Sequence, residues 1–285
     1  MKISEILKSR SVTVSCELFP PKQGSELANT QQVVREIAAY KPSFMSVTYG
    51  AGGSNSHNTL RVAEEVQNSG VTALAHLTCV GQSREKLHQA LEDFKASGIE
   101  NILALRGDIP EGQTVPDAFA HASDLIEEIR RAGDFCIGGA CYPEGHPESY
   151  NSAADIEGVR RKVESGCEFL TTQMFFDNNI LYSYMFKLLK NGVDVPVIAG
   201  IMPVTNAKQI KRITGLSNTV LPQRFRAIVD RFADHPEAMK QAGIAYATEQ
   251  IIDLIANDVT HIHIYTMNRP DIAGSIMTNL SKVIG

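Results

Sequence analysis

A chain of 285 residues with 43% hydrophobic content can bury a substantial core, and its length suits one large domain as well as two small ones. A formal charge of −5 argues against a general nucleic-acid surface, and no stretch reaches the roughly 18 consecutive apolar residues of a membrane span. The opening Met1–Leu7 has no long apolar segment and no small-residue cleavage site, so no signal peptide is expected and the location is read as cytoplasmic.

In chain order, Ser11–Leu18 is a strand rich in β-branched residues, halted by Pro20 and Pro21. Ser25–Tyr40 reads as a helix with Leu27, Val33, Val34, Ile37 and Ala38 near one face, and Ser43–Tyr49 as a strand running into Gly50-Ala51-Gly52-Gly53. The alternation continues with a helix at Ser56–Ser69, a strand at Val71–Thr78, a helix at Ser83–Ser97 and a strand at Asn101–Arg106. Next come a helix at Pro116–Ala132, a strand at Phe135–Tyr142, a helix at Ala153–Ser165, a strand at Cys167–Phe175, a helix at Asn179–Lys190 and a strand at Val195–Ile201. About three helices occupy Asn206–Asp258, with breaks near Gly215–Asn218 and Asp234–Pro236. His261–Thr266 is the eighth strand and Asp271–Val283 a closing helix.

Eight β/α units in a chain of this length point to an α/β fold, the (β/α)8 TIM barrel, as a single domain over 1–285 with extra helices between strands 7 and 8. A doubly wound sheet shares the alternation, so the strand count is what separates the two. Five cysteines, Cys16, Cys79, Cys136, Cys141 and Cys167, form no CxxC and give no zinc or iron–sulfur pattern, and their odd number argues against a complete disulfide framework.

In a barrel, Glu17, Thr48, His76, Arg106 with Asp108, Tyr142, Gln173 and Tyr265 converge on one face from seven strands. Glu17, flanked by Cys16, Leu18 and Phe19, suits a general acid, because desolvation favours the protonated form; the alternative is a carboxylate paired with a cation such as Lys22. Gly50–Gly53 sits between strand and helix, where backbone N–H groups meet phosphates, but its spacing is not that of a dinucleotide fingerprint. His76 reads equally as a core histidine, and His261 and His263 share one strand face without a second His pair to make a metal site. Asp155 and Lys162 lie two turns apart on one helical face, where they could bracket the sugar and phosphates of a nucleotide or form a solvated surface.

Taken together and in order, these stretches resemble the methylenetetrahydrofolate reductase family in its bacterial single-domain form. The resemblance rests on Glu17-Leu18-Phe19-Pro20-Pro21, Ser46–Ala51, Ala75–Cys79, Leu105–Asp108, Tyr142-Pro143-Glu144, His146-Pro147-Glu148 and Arg161-Lys162-Val163. It continues through Thr172-Gln173, Phe175-Phe176-Asp177, Gly200–Val204 and Tyr265–Arg269, covering essentially the whole chain. It implies FAD held noncovalently at the C-terminal face of the barrel. Reduced nicotinamide would deliver hydride there and leave, and methylenetetrahydrofolate would then take its place and be reduced to methyltetrahydrofolate, in one-carbon metabolism and methionine supply.

The resemblance assigns Glu17 as the acid that assists opening of the folate five-membered ring, and Asp108 as a contact to both pterin and flavin that tunes the hydride step. Thr48, His76, Arg106, Gly107, Asp108, Ala122, Tyr142, His146, Asp155, Arg161 and Lys162 match flavin-binding positions. Gln173, Gln209 and Arg269 match substrate contacts, Gln173 serving folate and nicotinamide in turn. The chain departs from the family pattern at His121, where an aromatic would lie near the adenine, at Ile213, where one would pack on the folate ring, and in the length of the loop Ile109–Asp117. NADH is the expected donor, with NADPH or an electron-donor protein as the alternatives, and a homo-oligomer is expected. Two other functions fit the strand ends alone: a flavin-free barrel lyase or isomerase using Glu17 and Asp108 as acid and base, and a flavin-binding subunit of a larger complex.

Overall fold

The computed structural model describes residues 1–21, 27–49, 56–109, 119–210 and 219–284. The eight apolar segments pair in parallel, each with the next: β1 (Thr13–Leu18), β2 (Met45–Val47), β3 (Ala73–Thr78), β4 (Asn101–Leu105), β5 (Cys136–Cys141), β6 (Phe169–Thr172), β7 (Val197–Ile201) and β8 (His261–Ile264). The barrel closes where β8 pairs with β1, from Thr13↔His261 to Cys16↔Ile264. Ten helices are described: α1 (Ile3–Ser9), α2 (Leu27–Ala38), α3 (Ser56–Asn68), α4 (Arg84–Ala96), α5 (Ala122–Ala132), α6 (Ser152–Ser165), α7 (Asn178–Lys190), α8 (Gln223–Phe232), α9 (Pro236–Ala256) and α10 (Pro270–Leu280). Residues 207–210 are also helical, so the interval between β7 and β8 carries the extra helices read from the sequence.

The two-residue period of the strands divides the core in two. Outward residues such as Val14, Cys16, Ala75, Ile102, Leu170 and Ile262 pack beneath the helices. Inward residues Phe44, Leu74, Leu103, Cys136, Phe169 and Ile198 fill the lower barrel together with Ile3, Ile6 and Leu7 of α1. Inward glycines make room for large neighbours: a Cβ on Gly138 would stand 2.4 Å from the Phe169 ring, and one on Gly200 would stand 2.7 Å from the Tyr265 ring and 2.4 Å from Thr172 O. All five cysteines are free and buried, as expected of small apolar side chains. Among the described residues, no helix is long and apolar enough to cross a membrane.

Two features differ from the sequence expectation. The stretch Met1–Leu7, found to lack the marks of a signal peptide and given no element, contains most of helix α1, which plugs the N-terminal end of the barrel. Its Ile3 N–H donates to Asn101 Oδ1 at 2.8 Å, while Asn101 Nδ2 donates to Met1 O and Ala73 O. Helix α5 begins at Ala122 rather than near Pro116, because His121 is its cap: the His121 N–H donates to Asp124 Oδ2 at 2.9 Å. Residues 110–118, most of the loop whose length departs from the family pattern, lie outside the described residues.

Ile6 is 1% exposed in the plug. Ile6→Ala should cost about 2–5 kcal/mol, the range for deleting a buried aliphatic side chain, read as a lower midpoint in urea unfolding with an unchanged slope.

Candidate active site

The inward parity that places Phe44 and Leu74 in the lower core places Ser15 and Glu17 of β1, Ser46 of β2 and Thr48 just beyond it, and His76 of β3 in the upper barrel. Continued past the ends of β5, β6 and β8, the same parity brings in Tyr142, Gln173 and Tyr265. Arg106, Gly107 and Asp108 follow β4 directly. The strand ends read from the sequence therefore meet at one mouth, the C-terminal one, opposite the α1 plug.

Glu17 is 7% exposed, and its carboxyl has no hydrogen-bond or ion-pair partner among the described residues; Lys22 lies outside them. Burial alone pushes its pKa up to about 8, so Glu17 is a protonated acid at neutral pH. The same desolvation drives His76 and His263 down to about 3, leaving both neutral. Tyr265 is raised by burial and then by its proximity to Glu17, and its hydroxyl donates to Thr172 O at 2.6 Å.

His263 is held by two hydroxyls. Ser15 Oγ donates to Ile262 O at 3.0 Å and lies 2.8 Å from Nδ1, so it accepts the Nδ1 proton; Nε2, 3.2 Å from Ser46 Oγ, then accepts from that hydroxyl. His261 Nδ1 pairs with Thr13 Oγ1 at 3.0 Å. The two histidines that share a strand face are thus engaged by strand hydroxyls, and no three metal-binding side chains cluster among the described residues. His76 differs: its Nε2 is buried with no partner.

The rim is charged. Arg106 grips Glu148 through two bonds of 2.6 and 2.7 Å, and its Nε donates to Gly107 O. Glu148 raises the Arg106 pKa, and Arg106 lowers that of Glu148. Gly107 has φ +89, which favours glycine at this turn, and Asp108 stands exposed beside it with no bond to the described residues. Asp155 is buried, and its Oδ1 accepts from His146 N at 3.1 Å and Ser149 Oγ at 3.2 Å, folding the loop after β5 onto α6. His146 packs edge-on against Tyr142 at 4.6 Å, and burial lifts Tyr142 to about 12.

Lys162 sends its Nζ to Ala140 O at 2.7 Å, and burial lowers its pKa. Arg161 is exposed, 3.8 Å from Glu157, and Ala122 is the first residue of α5. Asp155 and Lys162 share a face as expected, yet both turn to protein partners: the carboxylate organises a loop and the amine caps a strand carbonyl.

The positions read as substrate contacts are spread around the same rim. Gln173 Oε1 accepts from Met174 N at 2.9 Å, leaving its amide N–H groups without a partner among the described residues. Gln209 Oε1 is buried and unpartnered among them, and Arg269 pairs with Asp271 through two bonds of 3.0 and 2.9 Å. Gly50–Gly53 and Ile213 lie outside the described residues. Sequence reasoning missed Glu148 as the partner of Arg106, although both stretches had been singled out. It also missed Ser15 and Ser46, which counting back by two from Glu17 and Thr48 would have found.

A closed parallel barrel with a protonated acid at the end of its first strand and a polar rim gathered from the others is an α/β-barrel enzyme. The chain belongs to the methylenetetrahydrofolate reductase family, whose model, described as Methylenetetrahydrofolate reductase, matches residues 2–281. It is 36% identical to methylenetetrahydrofolate reductase (NADH) 1 of Arabidopsis thaliana over 99% of this chain and 50% of that one. It is 33% identical to the 5,10-methylenetetrahydrofolate reductase of Escherichia coli over 94% of this chain and 90% of that one. The chain thus spans about half the length of the plant relatives it matches. Among solved structures, a Clostridium thermocellum protein that binds two copies of 5-methyl-5,6,7,8-tetrahydrofolic acid superposes with a TM-score of 0.65, covering 99% of this chain and 98% of that one; at 13% identity it shares the fold.

An unfolded glutamate ionises near 4.5 and folded Glu17 near 8, so between those values only the unfolded state gives up the proton and stability falls as pH rises. Glu17→Gln removes that dependence. The variant's gain in unfolding free energy over the parent should grow by a few kcal/mol from about pH 5 to about pH 8, at about 1.4 kcal/mol per unit, measured by urea unfolding at both pH values.

Proposed function

We propose that the chain reduces 5,10-methylenetetrahydrofolate to 5-methyltetrahydrofolate with FAD as hydride carrier and NADH as donor, the whole site lying on one barrel. The observation that carries this is the buried Glu17, whose carboxyl has no partner among the described residues and whose pKa burial raises. The departing amine nitrogen of the folate five-membered ring is a poor leaving group unless a proton reaches it, and Glu17 is an acid that keeps its proton at neutral pH. With the ring open, the methylene carbon is an electrophilic iminium that accepts hydride. The carboxylate left behind is desolvated, which favours its reprotonation before the next turnover.

The residues present fit a flavin. His76 Nε2 is a buried polar atom with no partner, in the inward row at the mouth, and a ligand polar atom would satisfy it. Lys162 retains two N–H donors beyond its bond to Ala140 O, and the Glu148 partner of Arg106 is 52% exposed, so an anionic ligand can compete for that guanidinium. Thr48, Arg106, Gly107, Asp108, Ala122, Tyr142, His146, Asp155, Arg161 and Lys162 would complete the cradle. Bound FAD would supply a two-electron relay, taking hydride from the nicotinamide and giving it up at the methylene carbon. Gln173 has free amide donors for the ligands that alternate there, Gln209 an unpaired acceptor, Asp108 an exposed carboxylate for the pterin, and Arg269 an exposed cation for the substrate's anionic tail.

The purified protein should be yellow, bleach under NADH without air and recover its colour on adding methylenetetrahydrofolate. Side-by-side reduction by NADH, NADPH and a low-potential protein donor identifies the donor. A protein that cannot be reconstituted with FAD would overturn the proposal. Glu17→Gln should keep the flavin and its reduction by NADH, and lose about 10²- to 10⁴-fold in the folate half-reaction followed by stopped flow.

A further inference from the structure

The ladder between β1 and β8 ends at Cys16↔Ile264, one residue short of Glu17, whereas the β1–β2 ladder runs on to Leu18↔Val47. On its β8 side, the segment that carries the acid has therefore run out of backbone partners. Side chains of the β8 exit replace them. Thr266 Oγ1 donates to Glu17 O at 2.6 Å. Two residues on, the Asn268 amide pairs with Phe19 in both directions: Nδ2 donates to Phe19 O at 2.8 Å, and Phe19 N donates to Asn268 Oδ1 at 2.8 Å. One side-chain amide thus offers a donor and an acceptor to the backbone of a single residue, as strand pairing would.

The geometry that allows this is strained. Met267 and Asn268 both lie in the left-handed region, at φ +53 and +55. Two consecutive non-glycine residues there turn the chain sharply enough to bring the Asn268 amide back across to β1. The turn is closed by Arg269 N donating to Thr266 O at 3.0 Å. Further along, Asn58 Nδ2 donates to Pro21 O at 3.0 Å, so the stretch after Glu17 is held by side-chain amides from two directions.

We propose that Asn268 is a positioning residue for Glu17: its two bonds to Phe19, with the Thr266 bond to Glu17 O, extend the β1–β8 pairing past its last ladder step, aim the acid and keep water from it. The proposal rests on the reading of Glu17 as the acid of the folate step. Released from Asn268, Phe19 would move away from the mouth, Glu17 would gain solvent and its pKa would fall toward that of an ordinary carboxylate.

Asn268→Gly keeps the backbone free to adopt the left-handed turn while removing both amide bonds, and so separates the amide from the strain. The folate half-reaction should slow by about 10- to 100-fold, the loss that a small misplacement of a reacting group brings, while NADH reduction of the flavin changes by less than about twofold. The falling limb of the folate pH–rate profile should move to lower pH. In the flavin-free protein, the Glu17 carboxyl band, assigned by infrared difference against Glu17→Gln, should titrate at lower pH too. Thr266→Val should move the same readouts in the same direction. Should Asn268→Gly fail to fold, Thr266→Val, which removes the bond to Glu17 O and adds no charge, carries the same test with a smaller slowing. A wild-type folate rate and pH profile in the folded variants overturns the positioning role, while loss of folate turnover in Glu17→Gln leaves the acid assignment standing; wild-type folate turnover in Glu17→Gln instead overturns the reading beneath it.

Discussion

Glu17, His76 and His263 are buried in the upper barrel with no ion-pair partner among the described residues, and the chemistry of the site follows from that constraint. Taking a carboxyl out of water without a cation favours its neutral form, and taking an imidazole out of water does the same from the other side. Glu17 therefore rises to about 8 while His76 and His263 fall to about 3. At neutral pH the axis carries an acid and two bases, all uncharged. The charges stand at the rim, as the Arg106–Glu148 and Arg269–Asp271 pairs, where solvent supports them. On the proposed function, that separation would let a proton donor and a hydride acceptor share a site: the donor must be neutral before the reaction, and a cation beside it would strip it of that property.

Filling the barrel and shaping its mouth are parts of one packing problem. Each inward position is either filled or left small so that a neighbour can fill it, which is why Gly138 faces Phe169 and Gly200 faces Tyr265. Tyr265, laid across Gly200 and bonded to Thr172 O, forms part of the surround of Glu17 and adds to the cost of charging both groups. Below, α1 closes the barrel with Ile3, Ile6 and Leu7. The mouth then remains the open end, which fits the general placement of barrel sites at strand C-termini.

The fold and the strand-borne half of the site were legible because both follow from period. Eight apolar runs separated by helical periods imply eight strands, and every second residue of a barrel strand faces the axis, so Glu17, His76, Tyr142, Gln173 and Tyr265 could be assembled from the chain alone. What could not be read depended on distant partners or on short elements. Helix α1 is seven residues long, and its apolar face means nothing until a barrel end exists to receive it. The start of α5 turned on a single cap at His121, which periodicity does not see. Asp155 and Lys162 were correctly placed on one helical face, but which way each turns was decided by the loop at His146 and the carbonyl of Ala140, 9 and 22 residues away.

The electrostatics also weigh between hydride transfer and acid–base lyase chemistry on the same barrel. A lyase or isomerase working through Glu17 and Asp108 needs one group to hold a proton and the other to take one from carbon in a shielded site. Glu17 meets the first requirement, but Asp108 stands exposed at the rim and the buried imidazoles are driven so far down that they are weak bases. Among the described residues, the buried carboxylate of Asp155 is engaged by His146 N and Ser149 Oγ, and none of the strand-borne side chains beside Glu17 supplies a matching base. Reduction of an iminium asks for that much and no more: a proton for the departing nitrogen and a hydride from a carrier at the mouth. Among the described residues, His76 Nε2 and the remaining N–H donors of Gln173 and Lys162 have no protein partner, and they would offer such a carrier polar contacts.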